Sequence, residues 1–390
     1  MGAEQTKDAY DKGIAMFVLV VGHRRGITKA LEKINISFIV WSNKKIKTKI
    51  SALSIIESPF PKEKEDLEQW IPAYQNLNIS HVIAGSEEAV LPASKLRIWL
   101  DARRNPHSLI IRCTDKLKMK EYLVKDNIPM TDFMDVRKVK DPKDVFARLG
   151  CPVIAKPRKS SGGRGIELIE DDSKIVPKIK EEIILEKKIL GTEGSVESLI
   201  HKGQILFTNI TGYQQLGHCN LVPGLFPDYL VKQILELNKN VISSLKIKWG
   251  LTHLEFYQTD EKILFGEIAL RPPGGYIMEA LELAYNKNFW DLYVRIELDM
   301  DFELPEGEHN YAASIVIHPP PGRVKKIRGL DNLNSIESIQ KFKLKVKEGQ
   351  VITERLGVGQ DYGHLLLKNS DSNKLLNDIE RFNQTIDIEM

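Results

Sequence analysis

The sequence predicts an α/β protein of several units, and three observations carry that prediction. Near the N-terminus, short apolar runs alternate with helix-like stretches. From about residue 150 to 310, strand-like runs are punctuated by Gly- and Pro-rich loops. Toward the C-terminus, a strand alternates apolar residues with lysines. Strand–helix–strand alternation indicates a parallel sheet flanked by helices, whereas period-2 alternation indicates a strand with one wet face.

The first apolar run is Phe17–Val21, which ends at Gly22 and reads as a buried strand. After the loop Gly22-His23-Arg24-Arg25-Gly26 come an amphipathic stretch, Ile27–Ile34, and a second strand, Ser37–Trp41. A third strand candidate, His81–Ala84, precedes Gly85 and a helix-like stretch from Glu88 to Asp101. These elements make a parallel α/β unit over residues 16–112. The Gly22 loop lacks the GxGxxG spacing of a dinucleotide site.

Thr114-Asp115 opens a further helix, with Leu117, Tyr122 and Leu123 on its apolar face and Asn127 near its end. The stretch up to residue 310 reads as strands and turns, with loops at 157–165, 222–227 and 271–275. The last segment starts at the strand Ala312–His318. It contains Phe342, Leu344 and Val346 alternating with lysines, a pattern that favours a solvated strand face over a nucleic-acid patch.

Composition narrows the function. The 56 basic residues nearly balance the 53 acidic ones, leaving a net charge of +3 and no electrostatic case for nucleic acid. Cys113, Cys151 and Cys219 are far apart and make no zinc spacing, which fits a reducing compartment. Residues 1–15 lack the apolar core of a secretory signal; a leader, a short helix or a tag remnant stay open for them. No run approaches the ~18 apolar residues of a membrane span. The expectation is a cytoplasmic enzyme with no membrane or nucleic-acid partner.

Three constellations carry chemistry. In Val153–Ile169 a strand bearing Lys156 leads into Ser160-Ser161-Gly162-Gly163-Arg164-Gly165 and then into a second strand. Successive glycines let backbone N–H groups approach an anion, and a lysine on a buried strand requires an anionic partner; a plain hairpin tip is the alternative. The second is Leu251–Leu270, two strand-like runs around a polar turn at Asp260–Lys262. A hairpin centred on Glu261 puts Glu255 directly opposite Glu267, with Cβ atoms about 4.5–5.5 Å apart. Two such carboxylates suit a shared Mg²⁺, which favours oxygen ligands; a one-residue slip would leave two solvent-facing glutamates on opposite faces. The third is Arg271-Pro272-Pro273-Gly274-Gly275, where a guanidinium suited to phosphate is followed by accessible backbone amides.

The order of these pieces resembles the ATP-grasp superfamily over nearly the whole chain, most closely its carboxylate–amine (L-amino-acid or dipeptide) ligases, with a biotin-carboxylase-like layout. The resemblance implies a Rossmann-like domain at 16–112, an ATP-grasp domain at 113–310 with a mobile lid at about 150–190, and a small α+β domain at 311–390. Lys116, in Asp115-Lys116, and Lys156 match the two phosphate lysines. Ser160, Ser161, Gly162 and Gly163 match the loop that closes over the phosphates. Glu186-Lys187-Lys188-Ile189 resembles the hinge that grips adenine through backbone groups, here about Glu186, Lys188 and Ile189, and Glu193 would lie near the ribose. Glu255 and Glu267 match the metal carboxylates. Arg271 matches the arginine on the transferred phosphate, and Gly274 completes the implied catalytic set.

Many members carry Glu-x-Asn-x-Arg at this point, whereas here Ala269 replaces the Asn, so the resemblance implies one or two Mg²⁺ ions, with Mn²⁺ as a substitute. The implied reaction phosphorylates a carboxylate with ATP and passes the acyl phosphate to an amine, releasing ADP and phosphate. Substrate candidates are Tyr213, His218, Glu87, Arg271 and Gly275, with His23, Arg24 and Arg25 beside them. His253 is a candidate support for Glu255, and His318 a structural residue. Amino acids are the expected substrates, and homodimers are common in such folds. The alternatives are a biotin-carboxylase-like or purine-pathway carboxylase, and a nucleotide-binding module without turnover.

Overall fold

The computed structural model describes residues 16–62, 64, 79–102 and 104–390; residues 1–15, with the leader question, lie outside them. The first unit comprises β1 (Phe17–Val21), α1 (Arg25–Lys33), β2 (Ser37–Ser42), β3 (Ser54–Glu57), β4 (Ile79–Ala84), α2 (Glu87–Trp99) and α3 (His107–Thr114). Its sheet has the order β3-β2-β1-β4, and all its pairings are parallel. Val18, Val20 and Val21 are fully buried because helices cover both faces, as a continuous apolar run requires. The strand β3 had no expectation: Ile56 is buried but Ile55 is exposed, so its apolar signal is half missing.

Next come α4 (Lys116–Leu123), β5 (Phe133–Asp135), α5 (Pro142–Leu149), β6 (Val153–Pro157), β7 (Glu167–Ile169) and β8 (Ile183–Lys187). Strands β5–β8 form a small antiparallel sheet, ordered β5-β8-β6-β7, over a core of Val136, Val145, Val153, Ile169 and Leu185.

The largest sheet is built from β9 (Thr192–His201), β10 (Gln204–Gln215), β11 (Cys219–Val222), β12 (Gly250–Gln258), β13 (Ile263–Ala269), β14 (Tyr311–Ile317), β17 (Ile339–Leu344) and β19 (Gly363–Asn369). Its order is β13-β12-β9-β10-β11-β14-β19-β17, antiparallel throughout. Short strands β15 (Gly322–Arg323), β16 (Lys326–Arg328), β18 (Val351–Ile352) and β20 (Asp387–Glu389) pair off as β15–β18 and β16–β20. Because β11 pairs with β14, the chain beyond residue 310 continues the same sheet. On the edge strand β17, Phe342 faces the core while Lys341 and Lys343 are exposed.

Helices α6 (Asp228–Leu245), α7 (Ile277–Tyr285), α8 (Phe289–Leu298) and α9 (Ser372–Thr385) pack on this sheet and on the first unit. The first three correct the expectation of strands and turns up to residue 310. In α6, Leu230, Ile234, Leu237, Val241, Ile242 and Leu245 are buried at three- and four-residue spacing, a period that overrides the local turn signals. Helix α8 joins the units: Phe289, Leu292 and Val294 share one apolar cluster with Ile27 and Leu31 of α1. Among the described residues, no helix is long and apolar enough to cross a membrane.

Candidate active site

A cavity of about 760 Å³ lies where these units meet. One wall is formed by residues just beyond the carboxyl ends of the parallel strands: Gly22 and His23 after β1, Ser42 to Ile46 at the end of β2 and beyond, and Ser86 and Glu87 after β4. That crevice is where open α/β sheets take ligands. The roof is the 160–164 loop, and the floor is the β12–β13 face carrying Glu255 and Glu267.

The hairpin register places Glu255 opposite Glu267, but the hairpin is not centred on Glu261: Gln258 pairs with Ile263, so the turn centres between Asp260 and Glu261 and by itself would set Glu255 against Gly266. A bulge follows directly: Phe256 pairs with Phe265, so Gly266 is the extra residue, and the two glutamates lie on the far side of it from the turn. Both carboxylates reach the cavity, with side chains 35% and 26% exposed. Lys116 Nζ sits 2.7 Å from Glu267 and donates to the Ser160 carbonyl at 2.8 Å. His253 lies between Glu197, at 2.9 Å, and Glu255, at 3.5 Å. Glu197 also accepts from Ser195, Thr211 and Asn209, so this buried carboxylate is fully bonded. Burial works against a charge on His253, but Glu197 and Glu255 outweigh it and push the imidazole up to about 9. For Glu255, burial is outweighed by His253, Lys116 and Lys156, which keep its carboxyl below the usual range.

Lys116 is fixed by its neighbours. Asp115 caps α4, accepting from the amides of Leu117 and Lys118, and takes two bonds from Arg158, at 2.9 and 2.5 Å. The Lys116 amide in turn donates to the Arg158 carbonyl at 2.9 Å. This fork fastens the start of α4 to the end of β6 and sets the two lysines side by side. Lys156 is 2.8 Å from Glu186, which also takes Lys120 at 3.0 Å. Burial raises the Glu186 carboxyl, but Lys120 and Lys156 together hold it down at about 2. Burial also opposes the charge on Lys156, yet Glu186, Tyr257 and Glu267 hold its ammonium above the ordinary lysine value. Lys120 had not been singled out, although one helical turn after Lys116 puts it on the same face.

The loop after β6 fits the expectation of a close backbone approach. Gly162, Gly163 and Gly165 have φ of +64°, +74° and +71°, a region L side chains avoid. The hinge residues Glu186, Lys188 and Ile189 line the same cavity, as does Glu193. Burial first, then the charges of Glu255 and Glu267, push the Glu193 carboxyl up to about 7.

Arg271 and Glu87 come from different units and meet as an ion pair at 2.5 Å, and Arg271 also donates to the Pro272 carbonyl at 3.0 Å. Gly275, at φ +59°, is held from below: its carbonyl accepts from Ser314 at 2.7 Å and from Asn220 at 3.0 Å. Gly274 and Tyr213 line the cavity, and burial raises the Tyr213 phenol.

Three substrate candidates are placed otherwise. His218 does not line the cavity; its Nε2 meets Arg355 at 2.8 Å, because the β10–β11 turn faces the C-terminal segment. Arg24 lines it but is committed to the Pro273 carbonyl, at 2.8 Å, and stacks over Trp290. Arg25 is exposed at the first position of α1, outside the cavity. His23 does line it, and among the described residues its buried Nε2 has no hydrogen-bond partner. His318 contacts the Pro319 carbonyl and the Tyr362 ring.

Comparison with known proteins identifies two domains. The ATP-grasp domain family matches residues 121–283, and the L-amino acid ligase C-terminal domain 2 family matches residues 315–390. The chain carries an ATP-grasp domain followed by an L-amino acid ligase C-terminal domain 2. It is similar to the L-arginine-specific L-amino acid ligase of Bacillus subtilis, at 28% identity over 308 residues, 73% of this chain and 74% of that one. A formate-dependent phosphoribosylglycinamide formyltransferase of a Synechococcus species is 26% identical over 192 residues, 45% of this chain and 47% of that one. In fold, the ATP-grasp chain matches the crystal structure of an L-amino acid ligase from Bacillus licheniformis with TM-score 0.80 and 16% identity, covering 96% and 98% of the two chains. It matches N5-carboxyaminoimidazole ribonucleotide synthetase from Thermotoga maritima with TM-score 0.74 and 19% identity, covering 96% and 99%. The ATP-grasp chain is an ATP-dependent, amide-forming ligase.

Proposed function

We propose that this ligase activates the carboxylate of one amino acid as an acyl phosphate and joins it to the amine of a second, in three units: 16–112, 113–310 with its lid at about 150–190, and 311–390. The observation that carries the reading is the Arg271–Glu87 pair facing the same cavity as Lys116, Lys156, Glu255 and Glu267. A zwitterionic substrate needs a cation for its carboxylate and an anion for its ammonium, and this pair offers both beside the phosphate-handling lysines. The Bacillus subtilis relative, an L-arginine-specific L-amino acid ligase, supports the same substrate class.

Lys116 and Lys156 neutralise phosphate charge, and the backbone amides of Ser160, Ser161, Gly162 and Gly163 cradle the phosphate oxygens. The hinge at Glu186, Lys188 and Ile189 holds the base, with Glu193 near the ribose. Arg271 and Gly274 bind the reacting carboxylate, and the cover of the 160–164 loop excludes water from the acyl phosphate. Tyr213 and Gly275 border the substrate.

Among the described residues, no group of three His, Cys, Asp or Glu side chains is placed to hold a metal. A pair of partly exposed carboxylates nevertheless fits Mg²⁺ bound jointly by protein and nucleotide, and Glu255 and Glu267 would hold it. When bound, the ion neutralises charge on the transferred phosphoryl group. Phosphoryl transfer needs mainly positioning and charge, which these residues supply.

The test is ADP release from MgATP with amino acids supplied singly and in pairs. Turnover that needs a carboxylate and an amine supports the reading, whereas nucleotide binding with no release on any pair refutes it. The run Glu267-Ile268-Ala269-Leu270-Arg271 favours a second reading, a purine-pathway type of carboxylation or formylation, and bicarbonate and formate arms of the same assay separate it.

A further inference from the structure

Between β18 and β19 the chain runs back over the cavity. The Val358 amide donates to the Gly162 carbonyl at 2.8 Å, which ties this segment to the loop over the phosphate end. Arg355 donates to the Gly217 carbonyl at 2.7 Å, with its second nitrogen against His218. Asp361 accepts from the Tyr276 hydroxyl at 2.9 Å and from Lys345 at 2.7 Å. The segment is therefore anchored on three separate loops, and Val358 stands at their junction.

The geometry around Val358 is specific. A methyl group on Gly162 would lie 3.0 Å from the Val358 carbonyl oxygen and 3.3 Å from its Cβ, and one on Gly217 would lie 3.3 Å from Cγ2, both closer than ordinary contact, whereas one on Gly274 would lie at an ordinary 3.9 Å from Cγ1. The Gly162 and Gly217 loops thus close tightly on this residue, and the Gly274 loop lies in contact with its isopropyl group. Val358 lines the cavity beside Gly274 and Gly275, the loop that follows Arg271. A β-branched side chain is restricted at χ1, so it has little freedom to swing aside for a larger neighbour. Extra volume at a packed contact is resisted.

We propose that Val358 is a specificity-determining residue, setting the upper size of the amino-acid side chain accepted next to Arg271. The inference rests on the reading of amino acids as substrates. It assigns to the C-terminal region a wall of the active site, held in place by the Gly162 and Gly217 loops, where an added side chain would press on Val358.

The experiment compares wild type with Val358→Ala, Val358→Phe and Val358→Thr on glycine, alanine, valine, leucine and phenylalanine. Each is read as ADP release and as amino-acid-dependent thermal shift in the presence of MgADP. Val358→Ala should raise the kcat/KM ratio of phenylalanine over alanine by about tenfold or more, and Val358→Phe should lower it by a similar factor. Val358→Thr, of the same shape, should keep the wild-type profile, and KM for ATP should stay unchanged in all three. If the wild type responds to amino acids and both size variants keep its profile, this inference alone falls. A changed KM for ATP with an unchanged size profile also overturns it, since Val358 would then act only on the nucleotide loop. If the wild type shows neither release nor shift with any amino acid, the substrate reading falls and takes this one with it.

Discussion

Replacing Glu186 by Gln isolates the buried charge cluster behind the proposed nucleotide site. Its carboxylate lies between Lys156, at 2.8 Å, and Lys120, at 3.0 Å, and its side chain is 4% exposed. Glutamine keeps the shape and removes what is, among the described residues, the only anion in ion-pair contact with either ammonium. Two arguments give the cost. Breaking a buried pair by removing one partner costs about 3–5 kcal/mol. Independently, a carboxyl held at about 2 against an ordinary 4.5 corresponds to about 3 kcal/mol at neutral pH. Lys120, whose ammonium burial already disfavours, can release its proton in the variant, so the lower figure is the better expectation. The pH dependence has a definite sign. The folded value is depressed, so the stabilisation is fully present above 4.5 and is lost as pH falls from there toward about 2. Urea unfolding of wild type and Glu186→Gln should show a gap of about 3 kcal/mol at pH 7 that closes over that acid range. Lys120→Met should cost less, because it leaves Lys156 and Glu186 as a neutral pair. Equal stability of Glu186→Gln and wild type at pH 7, or a gap that persists unchanged below pH 3, would refute the electrostatic account.

Three further outcomes are expected. Glu267→Ala should lower ADP formation by at least about 100-fold while leaving the circular dichroism spectrum unchanged; undiminished turnover would refute its place in the site. Arg271→Lys keeps the charge but loses the fork that bonds both Glu87 and the Pro272 carbonyl, so kcat should fall about 10–100-fold with little change in KM for ATP; full activity would show that the fork is dispensable. Glu193 has its carboxyl raised to about 7, so its ionisation opposes folding and this loss of stability accrues between pH 4.5 and 7. Without nucleotide, the melting temperature of Glu193→Gln should exceed that of wild type increasingly over that range and then stay level; no pH-dependent difference would contradict the crowding of Glu193 by Glu255 and Glu267.

Much of the site was legible because it is written in short, local patterns. Glycines at 162, 163 and 165 occupy backbone conformations that other residues avoid, so they mark their loop in any context. The Glu255–Glu267 pairing is only partly a matter of counting along one hairpin: the turn-side register, with Gln258 on Ile263, would oppose Glu255 to Gly266, and the bulge at Gly266 shifts the pairing by one and brings the two glutamates together. Helices α5 to α8 are masked in the sequence by nearby turn residues, although α6 carries a clear three- and four-residue apolar period. Lys120 was missed for a different reason: a lysine on a helix reads as solvated until a partner such as Glu186 arrives from another strand.

By itself, then, the sequence determined the α/β class, the order of the Gly162 loop, the 186–189 segment and the two glutamate strands, and the hairpin that joins those strands. Those properties depend on backbone preference and on the two periods of helix and strand. Only the tertiary structure decided which charges meet. Arg271 reaches Glu87 across 184 positions, and His218 turns to Arg355 across 137. Contacts at such separations depend on how packed units orient their loops, and no local pattern encodes that orientation. The same holds for Val358, an ordinary valine in the sequence, which takes on its role only because three glycine loops converge around it.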